Sequence, residues 1–160
     1  MTKQYFGTSG SVAGKRFAII VSTYHKSITS KLLDGAIQTL TRNQISSDDI
    51  EVFWVPGAFE IPLAVQHVLD RDDPDRFFDG VITLGCVIRG ETTHDQHINT
   101  SVSQLIGQLS VEFKIPVGFG VLTCNTMDQA IQRAGGDVGN KGVEVAEAVI
   151  HMLQLFEESD

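Results

Sequence analysis

Residues 80–113 read GVITLGCVIRGETTHDQHINTSVSQLIGQLSVEF, and this stretch decides the fold class. Its first part, Gly80–Ile88, is a continuous apolar run, which is typical of a strand buried on both faces of a parallel sheet. We predict a helix from about His94 to Phe113, because apolar residues recur there on one helical face. The stretch therefore predicts a buried strand followed by an amphipathic helix.

The same alternation runs through the rest of the chain. Alternating strands and helices imply a parallel sheet with helices on both faces, joined by right-handed crossovers. We therefore predict an α/β protein of three layers, α/β/α, with a four-stranded, parallel, doubly wound, flavodoxin-like sheet in a single domain. The other predicted strands are Arg16–Thr23, Ile50–Val55 and Pro116–Leu122, and the other predicted helices are Ser27–Arg42, Phe59–Leu69, a short helix that opens at Thr126 and ends at Gly135-Gly136, and a last helix with Ala146, Val149, Ile150, Leu153 and Phe156 on its apolar side.

Local signals mark several element boundaries. Thr93 with Gln96, and Thr126 with Gln129, have the spacing of capping boxes at the starts of two predicted helices. The polar segment Asp70–Arg76 is predicted to be a loop.

The N-terminal residues form a predicted arm ahead of the domain. Met1–Lys15 precedes the first strand and has little of its own to bury. We expect this arm either to fray or to pair with the sheet edge of a neighbouring subunit. Residues 16–158 form the predicted α/β domain.

Composition and charge exclude several classes of partner. The 160 residues include 12 Lys and Arg against 20 Asp and Glu, which gives a formal net charge of −8. Such a chain, with its basic residues dispersed, is repelled by nucleic acid and anionic membranes. No stretch approaches the roughly 20 apolar residues of a membrane-spanning helix, and the N-terminus lacks the apolar core of a secretory signal. Cys86 and Cys124 have no zinc-like spacing. We expect a soluble cytoplasmic protein.

The residues after each predicted strand are candidates for function, because ligands of parallel sheets bind beyond the carboxyl ends of the strands. Arg89–His94 links a buried strand to a helix start, where free N–H groups and a flexible glycine favour an anion. His94 has a side chain suited to proton transfer near neutral pH. The alternative is that His94 is a solvent-exposed histidine at a helix start.

Other candidates have two interpretations each. Tyr24 could stack on a planar ligand or only cover the sheet edge. Glu60 could bind ligand hydroxyls or only favour a helix N-terminus by its charge. Arg133 and Lys141 lie at either end of the glycine-rich loop Gly135–Gly142, and both could reach a phosphate.

Two common kinds of site, a metal site and a nucleotide phosphate loop, do not fit the sequence pattern. Glu91, His94 and His97 raise the possibility of a metal site, but a third convincing zinc ligand and a di-iron helical bundle are both missing from the pattern. The loop Gly135–Gly142 lacks the spacing of a nucleotide phosphate loop, and no strand leads into it, so we interpret it as a turn joining two helices.

Six segments occur in a specific order and spacing, namely Ile28–Ala36, Val55–Pro62, Leu84–His94, Phe119–Thr123, Gln129–Gly135 and Gly139–Gly142. Together these segments resemble the 6,7-dimethyl-8-ribityllumazine synthase family. The resemblance implies a transferase of riboflavin biosynthesis that uses no cofactor and no metal. Its reaction condenses 5-amino-6-(D-ribitylamino)uracil with 3,4-dihydroxy-2-butanone 4-phosphate to give the lumazine, phosphate and water.

The resemblance also implies roles for individual residues. His94 would be the general acid and base. Phe119 and Arg133 would come from a neighbouring subunit. The pyrimidine substrate would contact Tyr24, Ala58, Phe59, Glu60, Cys86, Val87, Ile88 and Phe119, and the butanone phosphate would contact Glu91, Thr92, Arg133 and Lys141.

The family further implies an assembly. Its members form homopentamers, some of which build hollow 60-subunit capsids, and riboflavin synthase is a candidate partner. Tyr24, His25, Cys86, Thr93 and Val143 depart from the residues usual in the family, and they bear on affinity and assembly more than on activity. A relative that only binds lumazine or flavin, or only forms a shell, is the alternative function. Such a relative would be expected to lack the histidine or the arginine that this chain retains.

Overall fold

A four-stranded parallel sheet forms the centre of the molecule. The computed structural model describes residues 1–71, 73 and 77–160. The sheet consists of β1 (Phe17–Ser22), β2 (Ile50–Val55), β3 (Gly80–Ile88) and β4 (Val117–Cys124), in the order β2-β1-β3-β4. All pairings are parallel. The predicted α/β fold in a single domain is confirmed.

Helices cover both faces of the sheet and separate two cores. The helices found in the described part of the chain are α1 (Lys26–Arg42), α2 (Ile61–Leu69), α3 (His94–Phe113), α4 (Met127–Arg133) and α5 (Lys141–Ser159), with short 3-10 turns at Ser47–Asp49 and Ala58–Glu60. On one face, α1 and α5 pack with β1 and β3 around Leu32 and Ile150. On the other face, α2 and α3 pack around Ile61 and Ile106.

The central strands are apolar because both of their faces are covered. Every residue of β1 is buried, and only the last residue of β3 is partly exposed. β4 extends two residues beyond the predicted end at Leu122, because its ladder with β3 continues to the pair Ile88 and Cys124. The predicted loop at Asp70–Arg76 lies partly outside the described residues.

The capping prediction at Thr93 is wrong, and the one at Thr126 is half right. Thr93 has φ −83° and ψ 10°, so its hydroxyl makes no capping hydrogen bond. Thr126 has the extended backbone of an N-cap, and its hydroxyl accepts a hydrogen bond from the N–H of Gln129 at 3.2 Å. The Gln129 side chain in turn accepts from the N–H of Asn125, one residue before the cap, at 2.8 Å.

The glycine-rich loop is a small hairpin and not a simple turn. Its strands are β5 (Ala134–Gly136) and β6 (Gly139–Asn140), which pair antiparallel. Gly135 and Gly139 have φ of 99° and 109°, a region that glycine occupies at little cost. The preceding helix therefore ends at Arg133, before the predicted Gly135-Gly136.

The N-terminal arm lies along α5 of its own chain. Glu158 accepts hydrogen bonds from the backbone N–H groups of Phe6, Gly7, Thr8 and Ser9 at 2.8–3.2 Å, and from the Ser9 hydroxyl at 2.6 Å. Farther along the arm, Gln154 donates to the carbonyl of Gly10. Pairing of the arm with a neighbouring subunit stays a prediction.

Acidification should release this arm. The hydrogen bonds from Ser9 and the neighbouring backbone lower the pKa of Glu158 from 4.5 to about 2. A carboxylate with a lowered pKa stabilises the folded arm above pH 4.5, and the stabilisation is lost as the pH falls towards 2. We expect amide hydrogen exchange at Gly7 and Ser9, measured relative to the intrinsic rate at each pH, to become faster in this range.

The variant Glu158→Gln should show the same fast exchange at neutral pH. Glu147→Gln is the matched control, because Glu147 is an exposed residue of the same helix. Arm amides that exchange equally slowly in the wild type and in Glu158→Gln would contradict this account of the arm.

Candidate active site

A cavity of about 640 Å³ opens at the carboxyl edge of the sheet. Its walls come from the segments that follow β1 and β2, from the end of β3 and from the start of α3. This is the edge at which parallel sheets bind their ligands. Of the predicted site residues, it brings together Tyr24, Ala58, Phe59, Glu60, Cys86, Val87, Ile88, Thr92 and His94.

The segments after β1 and β2 are joined to each other by backbone hydrogen bonds. The N–H of Thr23 donates to the carbonyl of Val55 at 2.8 Å, and the N–H of Tyr24 donates to the carbonyl of Pro56 at 3.0 Å. The Tyr24 side chain is 66% exposed. A broad aromatic ring therefore stands at the mouth of the cavity on a fixed backbone.

Glu60 shapes the turn that enters α2. Its Oε2 accepts a hydrogen bond from the N–H of Gly57 at 2.9 Å, which closes the 3-10 turn Ala58–Glu60. The residue itself is exposed and lines the cavity. A carboxylate has acceptor capacity for several donors. The local role of Glu60 therefore leaves it able to accept hydrogen bonds from ligand hydroxyls.

The end of β3 forms the apolar floor of the cavity. Cys86 is only 2% exposed. Burial, with a smaller contribution from Cys124, raises the pKa of the Cys86 thiol to about 12. The thiol is therefore protonated at neutral pH and acts as a small apolar group, because only the thiolate is a nucleophile.

The start of α3 contributes the proton-transfer candidate. His94 is the first residue of α3, is exposed and lines the cavity. The next residue, Asp95, also lines the cavity, and its Oδ1 is buried without a hydrogen-bond partner among the described residues. A histidine and a carboxylate therefore face the same space.

Four predicted site residues lie outside this cavity. Glu91 is exposed in the loop before α3. Phe119 lies on the edge strand β4 and is 41% exposed. Arg133 ends α4 close to Cys124, where its charge partly offsets the rise that burial causes in the pKa of that thiol. Lys141 begins α5 and forms an ion pair with Glu144.

Lysine and arginine are absent from the described lining of the cavity. Its lining includes Glu60, Asp95 and two histidines, His25 and His94, but no lysine or arginine from the described residues. Phosphate is usually bound by Arg, Lys or backbone N–H groups. Among the described lining residues, the loop and the helix start around Thr92 are the candidates for binding a phosphate through backbone N–H groups.

The sequence prediction missed several lining residues, namely His25, Gly57, Gly90, Asp95 and Ile98. A signal for two of them was present. His25 directly follows Tyr24 after a strand, and Ile98 lies four residues after His94, on the same face of a helix. Gly57 and Gly90 line the cavity through loop geometry that the sequence pattern does not specify, and Asp95 lies in the first turn of α3.

Two negative findings concern the described residues alone. None of the helices there has the length and apolar character needed to cross a membrane. Across residues 1–71, 73 and 77–160, no three His, Cys, Asp or Glu side chains lie together in a way that could hold a metal ion.

Known proteins match this chain over nearly its whole length. The family model described as 6,7-dimethyl-8-ribityllumazine synthase matches residues 14–157. A protein of that name from Pediococcus pentosaceus is 44% identical over 158 residues, or 98% of this chain and 97% of the relative. Another from Rhodopirellula baltica is 48% identical over 149 residues, or 93% of this chain and 94% of the relative.

Proposed function

The chain belongs to the 6,7-dimethyl-8-ribityllumazine synthase family and condenses a pyrimidine with a butanone phosphate in riboflavin biosynthesis, and on this premise we propose how its residues divide the work. The pyrimidine is 5-amino-6-(D-ribitylamino)uracil, and its partner is 3,4-dihydroxy-2-butanone 4-phosphate. The 5-amino group attacks the ketone and an imine forms with loss of one water, phosphate is then eliminated, and ring closure by the ribitylamino nitrogen with loss of a second water gives the lumazine.

The pyrimidine lies between Tyr24 and the floor formed by Cys86, Val87 and Ile88. This arrangement is supported by the aromatic ring at the mouth of the cavity and the apolar residues below it. Flat ligands bind well between an aromatic face and an apolar wall. The ribityl chain extends along Ala58–Glu60, where Glu60 accepts hydrogen bonds from its hydroxyls.

His94 transfers protons during imine formation and ring closure. Its position at the start of α3, facing the cavity, supports this role. An imidazole gains and loses a proton near neutral pH, so one residue can serve as acid and as base. The segment Glu91–Thr92 holds the phosphate end at the helix start.

The proposal rests on the absence of lysine and arginine from the described lining of the cavity. The butanone substrate is a phosphate ester, yet the cavity of a single chain has no lysine or arginine among its described lining residues. Arg133, Lys141 and Phe119 lie elsewhere on the same chain. We infer that a second copy completes the cavity with its own Arg133, Lys141 and Phe119.

Such a contact joins different surfaces of two copies. A heterologous contact of this kind closes into a ring when the rotation between copies allows it. An apolar groove of about 710 Å³ also runs beside the edge strand β4, between Val111 of α3 and Met152 and Phe156 of α5. We propose a homopentamer, with the 60-subunit capsid as its higher assembly, and riboflavin synthase stays a predicted partner.

Two free thiols, Cys86 and Cys124, support a cytoplasmic location.

One experiment tests the function and the assembly together. The purified protein is mixed with both substrates, and lumazine formation is followed by absorbance while light scattering gives the mass of the same sample. We expect turnover that requires both substrates, in particles of at least five subunits. Turnover by a stable monomer would overturn the shared cavity, and an absence of turnover would overturn the enzymatic roles given to these residues.

A further inference from the structure

His25 has an unusual backbone conformation at the entrance of the cavity. It has φ 56° and ψ 46°, in the left-handed region, where residues other than glycine are uncommon and histidine is among the enriched ones. Its carbonyl accepts hydrogen bonds from the N–H groups of Ile28 at 2.8 Å and Thr29 at 3.1 Å. The first turn of α1 therefore holds this conformation in place.

The left-handed backbone brings the imidazole of His25 against the ring of Tyr24. The two ring centroids are 4.6 Å apart, and the planes meet at 70°, which is an edge-to-face contact. Both residues line the cavity. The side chain of Lys26, the next residue, lies over the Trp54 ring and so takes no part in this contact.

Tyr24 has a fixed backbone but a freely exposed ring. Its N–H is bonded to the carbonyl of Pro56, whereas its side chain is 66% exposed. Among the described residues, the contact with His25 is the one aromatic or cation contact found for this ring. Within the described residues, His25 is therefore the aromatic neighbour placed to restrict the orientation of the ring before a ligand binds.

We propose that His25 is a positioning residue that sets the plane of the Tyr24 ring for stacking on the flat substrate and product. This inference rests on the proposed function, in which Tyr24 stacks on the pyrimidine. An edge-to-face contact between two aromatic rings is stabilising, and it therefore favours one orientation of an exposed ring over others. A ring held in its binding orientation loses less freedom when the ligand binds, which strengthens binding.

The test is a double-mutant cycle on binding of the lumazine product, measured by calorimetry with the assembled protein. His25→Asn removes the ring and keeps a residue that tolerates the left-handed region. We expect the Kd to rise about 2- to 10-fold, the range given by one aromatic pair. The KM for the pyrimidine should rise similarly while kcat changes little.

The second arm of the cycle separates positioning from a general structural role. In the Tyr24→Ala background, His25→Asn should have no further effect on the Kd, because the ring that it positions is gone. His67→Asn, at an exposed histidine of α2 that does not line the cavity, should leave the Kd unchanged in both backgrounds.

Each outcome bears on a different claim. If His25→Asn weakens binding equally in both backgrounds, or in neither, the positioning role is overturned. If Tyr24→Ala itself leaves the Kd unchanged, the stacking role of Tyr24 in the proposed function fails first. A Kd that rises with His25→Asn in the presence of Tyr24 alone supports the inference.

Discussion

The variant His94→Ala should lose about 10²–10⁴-fold in kcat and still turn over measurably, because this is the contribution typical of one acid–base group. The imidazole is the proton-transfer group proposed for imine formation and ring closure, and it faces the cavity from the first residue of α3. The rest of the cavity still holds two substrates together, and such positioning supplies a large part of a bimolecular acceleration.

Steady-state kinetics with both substrates saturating measures this loss. His97→Ala is the matched control, since His97 is an exposed residue of the same helix that does not line the cavity. We expect His97→Ala to keep near wild-type kcat. Full activity in His94→Ala would remove the proton-transfer role, and the histidine would then be the solvent-exposed residue that the sequence allowed as an alternative.

The variant Arg133→Ala should mainly weaken use of the butanone phosphate. A hydrogen bond to a charged group contributes about 1.5–3 kcal/mol, so we expect the KM for this substrate to rise by about 10- to 100-fold. The KM for the pyrimidine should change little, because the proposed contacts of the pyrimidine do not include Arg133.

A rise in the KM for the butanone phosphate alone distinguishes a loss of phosphate binding from a loss of assembly. Arg42→Ala, at an exposed arginine in the last turn of α1, is the matched control and should leave both KM values unchanged. Light scattering should show the same particle mass for Arg133→Ala as for the wild type. If the two KM values rise together while the mass falls, Arg133 acts in assembly and not in phosphate binding.

The fold could be predicted because its strongest signals are local and repeated. β3 and α3 follow directly from the apolar run Gly80–Ile88 and the helical periodicity that comes after it. The alternation of strands and helices along the chain then predicts a parallel sheet. The ends of elements were less predictable. At Thr93 the backbone angles, which residue types do not determine, differ from those of an N-cap, and the hydroxyl makes no capping hydrogen bond.

The hairpin β5–β6 illustrates the same limit. Its glycines were visible, but the pairing of two such short strands depends on where α4 stops and α5 begins. Short strands carry no periodicity from which to recognise them. The sequence therefore indicated a flexible connection and not its paired structure.

Some residues of the candidate site could be predicted from the sequence, and others could not. Strand ends of a parallel sheet converge at one edge, so Tyr24, Glu60 and His94 were expected to share a cavity. His25 was missed because its left-handed backbone, and the ring contact that follows from it, are not encoded in a pattern of residue types. Arg133 was a candidate for phosphate binding from its place beside the glycine-rich loop, but its contribution from a neighbouring subunit came through the family resemblance, and it does not line the cavity of its own chain.

Production of His94→Ala and Arg133→Ala in the same cells tests the shared cavity most directly. Each variant alone should be impaired when the butanone phosphate is held below its wild-type KM, because the loss of Arg133 acts on the KM for this substrate. If His94 and Arg133 of one site come from different copies, random mixing gives about one site in four both native residues, and about a quarter of wild-type activity should return. If the two residues serve a site within one copy, every site lacks one of them, and a mixture no more active than its separate components would contradict the account.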